Sequence, residues 1–233
     1  MSLFTPVSVP CPKCETPMSM DAVGSVNADR RPDLRDEILT RDFQRETCSN
    51  CGTTFRLAPE FTYLDIARGL WIATLPYPSL GTWPAACARA METFDAAYGA
   101  AAGQTGQEIG AGLTRRVVFG WSAVKEKIEV LEAGLDDVAL ELTKIAIVRG
   151  GGGGTAFGDG VELRFLGFQD DQMLFHWISG MDEEVKGKLA LPRAMYDDIA
   201  ADRSPWGEMG DRVAEPPFVD MQKLLYAADE AAA

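Results

Sequence analysis

Apolar and polar positions along the chain change period several times, and each change marks an element. Residues 4–9 and 18–27 carry the signal of strands, the second with Val23 and Val26 as apolar contacts. Pro32 then opens a short helix with Leu34, Ile38 and Leu39 on one side, since a fixed φ suits the first helical turn. Residues 53–57, 61–64 and 70–75 return to β-forming side chains, the last two separated by Arg68-Gly69. Pro76-Tyr77-Pro78 breaks the pattern. A helix is expected over residues 84–98, where Cys87, Met91 and Phe94 share a face. The Gly/Ala-rich stretch 100–112 reads as a loop or a poor helix.

The signal sharpens after Arg115. A strand ends at Gly120, and Ser122 is placed to cap a helix in which Val124, Ile128 and Leu131 recur at helical spacing. Lys125 and Glu129 stand four apart on its wet side. Gly134 suits the left-handed turn that stops it. Asp136 or Asp137 caps a second helix with Val138, Leu142 and Ile145 as its buried stripe. The glycine run 150–154 has no Gly-Lys-Ser/Thr after it and reads as a flexible loop, not a phosphate loop. Residues 161–168 and 173–178 form a hairpin across Gln169-Asp170-Asp171-Gln172. In its first strand Val161, Leu163 and Phe165 alternate with Glu162 and Arg164, which predicts one wet face. Residues 186–191 add a third strand, Pro192 starts a helix with Met195 and Ile199, and Pro217 opens a last helix with Met221, Leu224 and Leu225.

Chemistry enters with two cysteine pairs, Cys11-Pro12-Lys13-Cys14 and Cys48-Ser49-Asn50-Cys51-Gly52. Two C-x-x-C steps can place four thiolates at the corners of a tetrahedron around one Zn²⁺. Gly52 stands where the chain folds back tightly; the first pair has Glu15 there, so the two turns are expected to differ. Paired knuckles of a zinc ribbon are usually separated by about 15 to 20 residues. Here residues 15–47 intervene, 33 in all, so the ribbon must carry an insertion. Disulfides, a redox pair and an iron–sulfur cluster are the alternatives. The absence of a secretory signal and the odd fifth cysteine count against the first. The matched pairing counts against the second, and the spacing against the third. Cys11, Cys14, Cys48 and Cys51 fill all four positions of a structural site and leave none for substrate. Cys87, in an alanine-rich helix, reads as a small buried hydrophobe.

Charge narrows the partners. Residues 1–75 hold eight basic and ten acidic side chains, and the remainder 14 and 25, so most of the net −13 lies beyond the cysteines. Arg30, Arg31, Arg35, Arg41 and Arg45 lie between the pairs, but Asp29, Asp33, Asp36, Asp42 and Glu46 are interleaved with them and cancel most of the field that nucleic acid needs. No run reaches the roughly 18 apolar residues of a membrane span. The lack of a leader and the reduced cysteines point to the cytoplasm. Catalysis finds little support. His176, the only histidine, lies in an apolar strand, and Asp136-Asp137 and Asp170-Asp171 are explained as a helix cap and a hairpin turn.

One set of residues has a counterpart elsewhere. Cys11-Pro12-Lys13-Cys14, Val26-Asn27, Pro32, Leu34, Cys48 to Gly52 and Tyr63-Leu64-Asp65 together resemble the bacterial CpXC proteins, named for their first knuckle. Residues 118–120, Lys125 to Ile128, Gly134 to Asp137 and Glu141 look like the later part of longer members. Leu64 departs from the His expected between Tyr63 and Asp65, so no polar role carries over to that triplet. The resemblance implies a metal site and an architecture, not a reaction.

The expected molecule is α+β: a four-cysteine zinc ribbon with a helical insertion over residues 1–75, a helix and Gly/Ala-rich connector over 76–112, a part with a helical hairpin and a β-hairpin over 113–226, and a frayed tail over 227–233. Its expected role is a non-catalytic interaction protein with structural Zn²⁺ and a protein partner or self-association. Nucleic-acid or transcription-machinery binding through the ribbon is the first alternative, and an enzyme with a cleft between the two parts is the second.

Overall fold

The computed structural model describes residues 2–151, 154, 157, 158 and 160–226. Part of the glycine run and the tail over 227–233 lie outside these residues. The chain divides into two compact units. One comprises Met1–Pro76 and Arg89–Arg115, the other Tyr77–Ala88 and Arg116–Ala233.

In the first unit β1 (Leu3–Pro10) and β2 (Pro17–Asn27) form an antiparallel hairpin. Asn27 then caps a turn, its Oδ1 accepting from Arg30 N at 3.0 Å, and the chain enters α1 (Pro32–Thr40). Pro32 occupies the first turn of α1, and Leu34 and Ile38, four apart, are the side chains it buries. Arg41, at φ 69°, stops it. A two-stranded ribbon follows, β3 (Arg45–Thr47) against β4 (Thr54–Arg56), and then β5 (Phe61–Asp65) and β6 (Leu70–Leu75). The strands run in the order β1-β2-β5-β6. β5 lies parallel to β2 and antiparallel to β6. Parallel neighbours need a crossover, and this one contains α1 and the β3–β4 ribbon. The second cysteine pair lies within this crossover, so β2, α1 and β3 occupy the 33 residues between the pairs.

Phe61, Tyr63 and Asp65 point inward from β5, and Phe43 meets Phe61 edge-on at 5.3 Å. Cys11 N donates to Thr16 O. Antiparallel pairs alternate in bonding, so Pro6, Ser8 and Pro10 turn their nitrogens away from β2. Two of these three carry no hydrogen, which blunts the edge of β1 against a further strand.

α2 (Trp83–Tyr98) is followed by α3 (Gln104–Ala111), where a loop or poor helix was expected. The glycines that weaken its propensity let it approach α2. A Cβ on Gly106 would lie 2.7 Å from Ala97 O, and one on Gly110 only 2.3 Å from Tyr98 O. From α2, Phe94 packs edge-on against Trp71 of β6 at 5.1 Å.

β7 (Thr114–Phe119) runs from the first unit into the second. There α4 (Trp121–Glu132) and α5 (Asp137–Arg149) form the expected helical hairpin, stopped at Gly134 with φ 65°. The N-cap of α4 is Gly120, and Ser122 instead donates to Glu183 from inside the helix. Asp136 caps α5, accepting from Ala139 N at 2.9 Å. Next come β8 (Val161–Gln169), β9 (Gln172–Ser179) and β10 (Val185–Pro192) in the antiparallel order β10-β9-β8, with Asp170-Asp171 at the tight turn. Then follow α6 (Arg193–Ala201), α7 (Gly207–Ala214) and α8 (Lys223–Tyr226). Pro217 opens no helix; α8 begins six residues later, because residues 218–222 are held by side chains of other elements. The apolar core joins Leu140, Leu142 and Ile145 of α5 to Leu163, Phe165, Phe175 and Trp177 of the sheet, with Tyr196 and Val213 closing it. Cys87 is buried, which pushes its thiol up to about 11 and leaves it protonated.

The close approach of α3 to α2 is testable. Gly110→Ala is expected to lower stability by about 1–3 kcal/mol, as overpacking against backbone does. Gly103→Ala, where a Cβ meets nothing within 4 Å, should change it by less than about 0.5 kcal/mol. Urea unfolding of the two variants reads the difference.

Candidate metal centre

Each cysteine pair sits in a tight turn between antiparallel strands, Cys11 and Cys14 between β1 and β2, Cys48 and Cys51 between β3 and β4. The two turns close in the same way. Cys11 N donates to Thr16 O and Glu15 N to Cys11 O, both at 2.9 Å; Cys48 N donates to Thr53 O at 2.9 Å and Gly52 N to Cys48 O at 2.8 Å. Glu15 has φ 57° and Gly52 φ 69°. The expected difference between the turns is therefore absent from the backbone. Glu15 adopts the left-handed conformation that glycine takes without penalty. Thr16 and Thr53 correspond as well, each hydroxyl lying 3.3 Å from the second sulfur of its pair.

The four sulfurs converge. Cys11 Sγ lies 3.6 Å from Cys51 Sγ, and Cys14 Sγ 3.7 Å from Cys48 Sγ. All four lie within 4.8 Å of one another, and the group can hold a metal ion. A disulfide needs about 2.05 Å, so these are separate thiols around a common point. Each close approach joins one turn to the other, and Asn50 spans them too, its Nδ2 donating to Thr16 Oγ1 at 3.0 Å and to Cys14 Sγ at 3.6 Å. Cys11 and Cys48 are buried, and Cys14 and Cys51 are half-buried. The Thr16 hydroxyl, the Thr16 amide and Asn50 hold the Cys14 thiol down at about 5, and Thr53 lowers Cys51 in the same manner. Cys11 moves up to about 11: the Lys13 amide favours its thiolate, but burial and the Cys14 and Cys51 sulfurs outweigh it.

The other candidates are dispersed. Of the arginines between the pairs, Arg31 is paired with Asp33 and Arg35 with Asp36, each at 2.6 Å. Arg31 also lies 5.4 Å over the ring of Phe4. His176 is half-buried on β9, in register with Arg164 of β8 and Lys188 of β10. Asp136 caps α5 and meets Arg203 at 3.2 Å, and Asp137 is paired with Arg116 at 2.6 Å.

The largest departure from the sequence-based expectation is the second unit's buried charge. Glu162 and Arg164 do not form a wet face; they are 2% and 3% exposed. Arg164 Nη1 meets Glu126 Oε2 of α4 at 2.9 Å and Asp220 Oδ2 at 2.7 Å, and its guanidinium also binds Glu162. Lys144 of α5 donates to Glu126 Oε2 at 2.7 Å and to Glu141 Oε1 at 2.9 Å. Phe165 N occupies the other oxygen of Glu126 at 2.6 Å. Lys127 reaches Asp137 at 3.1 Å. A helix whose apolar run Leu140–Ile147 is interrupted by Glu141 and Lys144, three apart, carried this signal; the pair reads as surface only while α5 is taken to have a wet side.

A family model described as CpXC protein matches residues 9–144. The match includes all four clustered cysteines and the network residues of α4 and α5. No curated protein and no solved structure matches the chain.

Two outcomes are expected. Glu15→Gly should raise the stability of the first unit by roughly 1 kcal/mol and Gly52→Ala lower it by a similar amount, because the same left-handed position is relieved in one and strained in the other; thermal unfolding compares them. Acid should weaken the second unit. Burial would raise Asp220, but Arg164, Lys144 and Lys127 outweigh it and hold it at about 2. Its contribution is present above the ordinary carboxylate range near pH 4 and is lost as pH falls toward 2, about 2 kcal/mol in all. Glu126 and Asp137, also depressed despite burial, run the same way. Glu141 and Glu162, raised by burial, run oppositely and lose their contribution as pH rises. Denaturant unfolding at stepped pH should show the acid loss, with a shallower slope for Asp220→Asn.

Proposed function

We propose that this chain, which belongs to the CpXC family, is a non-catalytic interaction protein whose four thiolates hold one structural Zn²⁺. The observation that carries the reading is the convergence of Cys11, Cys14, Cys48 and Cys51, with all four sulfurs within 4.8 Å. Zn–S bonds of about 2.3 Å in a tetrahedron put sulfurs roughly 3.8 Å apart, which the 3.6 and 3.7 Å separations approach. Four thiolates complete the coordination of zinc and leave no position for water, so the ion would bind the two hairpins together and supply no chemistry to a substrate. Thr16, Thr53 and Asn50 would orient and polarise the sulfurs.

Among the described residues no helix is long and apolar enough to cross a membrane. A thiolate site needs a reducing compartment, and the cytoplasm suits it. The surplus of 25 acidic over 14 basic side chains beyond residue 75 favours a protein partner over nucleic acid. The Arg31–Asp33 and Arg35–Asp36 pairs weaken the ribbon's own claim on phosphate.

Elemental analysis of natively purified protein should give about one zinc per chain, as four thiolates define one tetrahedral site. Cys14→Ser or Cys48→Ser should lower zinc retention and unfold the first unit, because metal binding in such modules is folding free energy. A fully folded first unit without metal would refute the reading.

A further inference from the structure

Residues 218–223 are buried without exception, yet they join no strand ladder. One backbone bond fastens the approach to them, Val117 N to Pro217 O at 3.0 Å. Beyond it and the local turn that leads into α8, the hold comes from side chains of other elements. Lys127 Nζ of α4 donates to Val219 O at 2.6 Å. Arg164 Nη1 of β8 grips Asp220 Oδ2 at 2.7 Å. Glu141 Oε2 of α5 accepts from Met221 N at 2.9 Å, and Gln222 Nε2 donates back to Val161 O of β8 at 2.8 Å. Phe218, Val219 and Met221 fill apolar positions on either side of the aspartate, each no more than 3% exposed.

This is the way a groove binds a peptide. Contacts to main-chain groups set the register, apolar pockets take flanking side chains, and one charged partner reads one residue. Here Val219 O and Met221 N are each met by a side chain of another element, contacts that any peptide of like sequence can satisfy, while the carbonyls of Asp220, Met221 and Gln222 accept from Lys223 N, Leu224 N and Leu225 N within the segment's own turn. The link to α7 contains Glu215-Pro216-Pro217, and both prolines lack an amide hydrogen with which to fasten it.

We propose that residues 218–222 are a peptide ligand held in cis, and that the groove between α4, α5 and β8 exchanges them for an apolar–Asp–apolar peptide of a partner protein that takes up the same turn after its aspartate. Lys127 and Glu141 recognise the peptide backbone, and Arg164 recognises the aspartate. The proposal deepens the interaction reading by naming a partner chemistry, and rests on it. It does not depend on the zinc, so a failed exchange leaves metal content at about one per chain, while a missing metal leaves exchange intact.

The test uses the full chain. Native-state hydrogen exchange should show the Met221 and Gln222 amides opening at least about tenfold faster than those of Leu142 and Ile145 in α5, as a local unit distinct from global unfolding. A fluorescent peptide with the sequence of residues 216–223 should bind the Asp220→Asn chain at least about tenfold more tightly than the unaltered chain, since the weakened internal ligand competes less. Replacing the peptide's aspartate by asparagine should cost it at least about tenfold. Equal binding to both chains, or binding to neither, overturns the proposal. If Asp220→Asn does not fold, hydrogen exchange of the unaltered chain decides alone: residues 221 and 222 exchanging only with α5 would show that the segment never lifts.

Discussion

Taking a charge out of water costs several kcal/mol unless an opposite charge and hydrogen bonds go with it, and the second unit is arranged around meeting that cost. Glu126 shows how completely. One oxygen receives Phe165 N; the other receives Lys144 and Arg164. The carboxylate thereby fastens α4 to α5 and to β8 at one point. No apolar contact is so exacting about direction, because dispersion between methyl groups tolerates sliding and a shared carboxylate oxygen does not. The helical hairpin could pack on the three-stranded sheet in several registers as far as Leu140, Leu142 and Leu163 are concerned. Only one of them leaves Lys144, Arg164 and Glu126 all satisfied. Whether the network adds net stability matters less than this: the fold cannot shift without uncovering charge.

The first unit faces the same constraint at its sulfurs. Four thiols are brought together, and their turn neighbours Thr16, Thr53 and Asn50 favour the charged form at Cys14 and Cys51. The side chains that bond the sulfurs there are the neutral Thr16, Thr53 and Asn50, where the second unit uses Arg164 and Lys144. In the proposed reading the metal ion is the matching cation. The strained φ of Glu15 fits this view. A penalty of about 1 kcal/mol in a turn is small beside the binding of a structural ion, so the turn need not hold glycine to keep its shape.

Much of this was legible because it depends on local spacing. The cysteine pairs define their own turns, Pro32 with Leu34 and Ile38 defines α1, and Asp136 and Gly134 punctuate the hairpin by capping and left-handed geometry. What escaped reading depends on partners distant in sequence. The alternation of Val161, Leu163 and Phe165 with Glu162 and Arg164 is a sound sign of a half-wet strand; it failed because Asp220, 56 residues beyond Arg164, and Glu126, 38 before it, cover the polar face. Residues 100–112 looked too poor in helix formers, and they are, but their glycines serve close approach to Ala97 and Tyr98, which propensity does not register. Pro217 sat where a helix can start, and the side chains of Lys127 and Glu141 instead hold Val219 and Met221, so the helix starts only at Lys223.

The extent of the family match divides the network in an informative place. Inside residues 9–144 lie Arg116, Lys127 and Lys144 with Glu126, Asp137 and Glu141, three charges of each sign. Outside it lie Arg164 with Glu162 and Asp220. The helical hairpin with β7 is thus balanced by its own residues, while the sheet and the segment after α7 bring one further cation and two further anions. Arg164 has a partner in Glu126 and another in Glu162 without any help from Asp220. Removing the Asp220 carboxylate therefore leaves no bare cation behind, whereas removing Arg164 leaves three carboxylates facing one another. That asymmetry makes the 218–222 segment the separable member of the network and Arg164 its fixed centre. A segment of this kind can exchange with another of the same chemistry; the arginine that receives it cannot be spared.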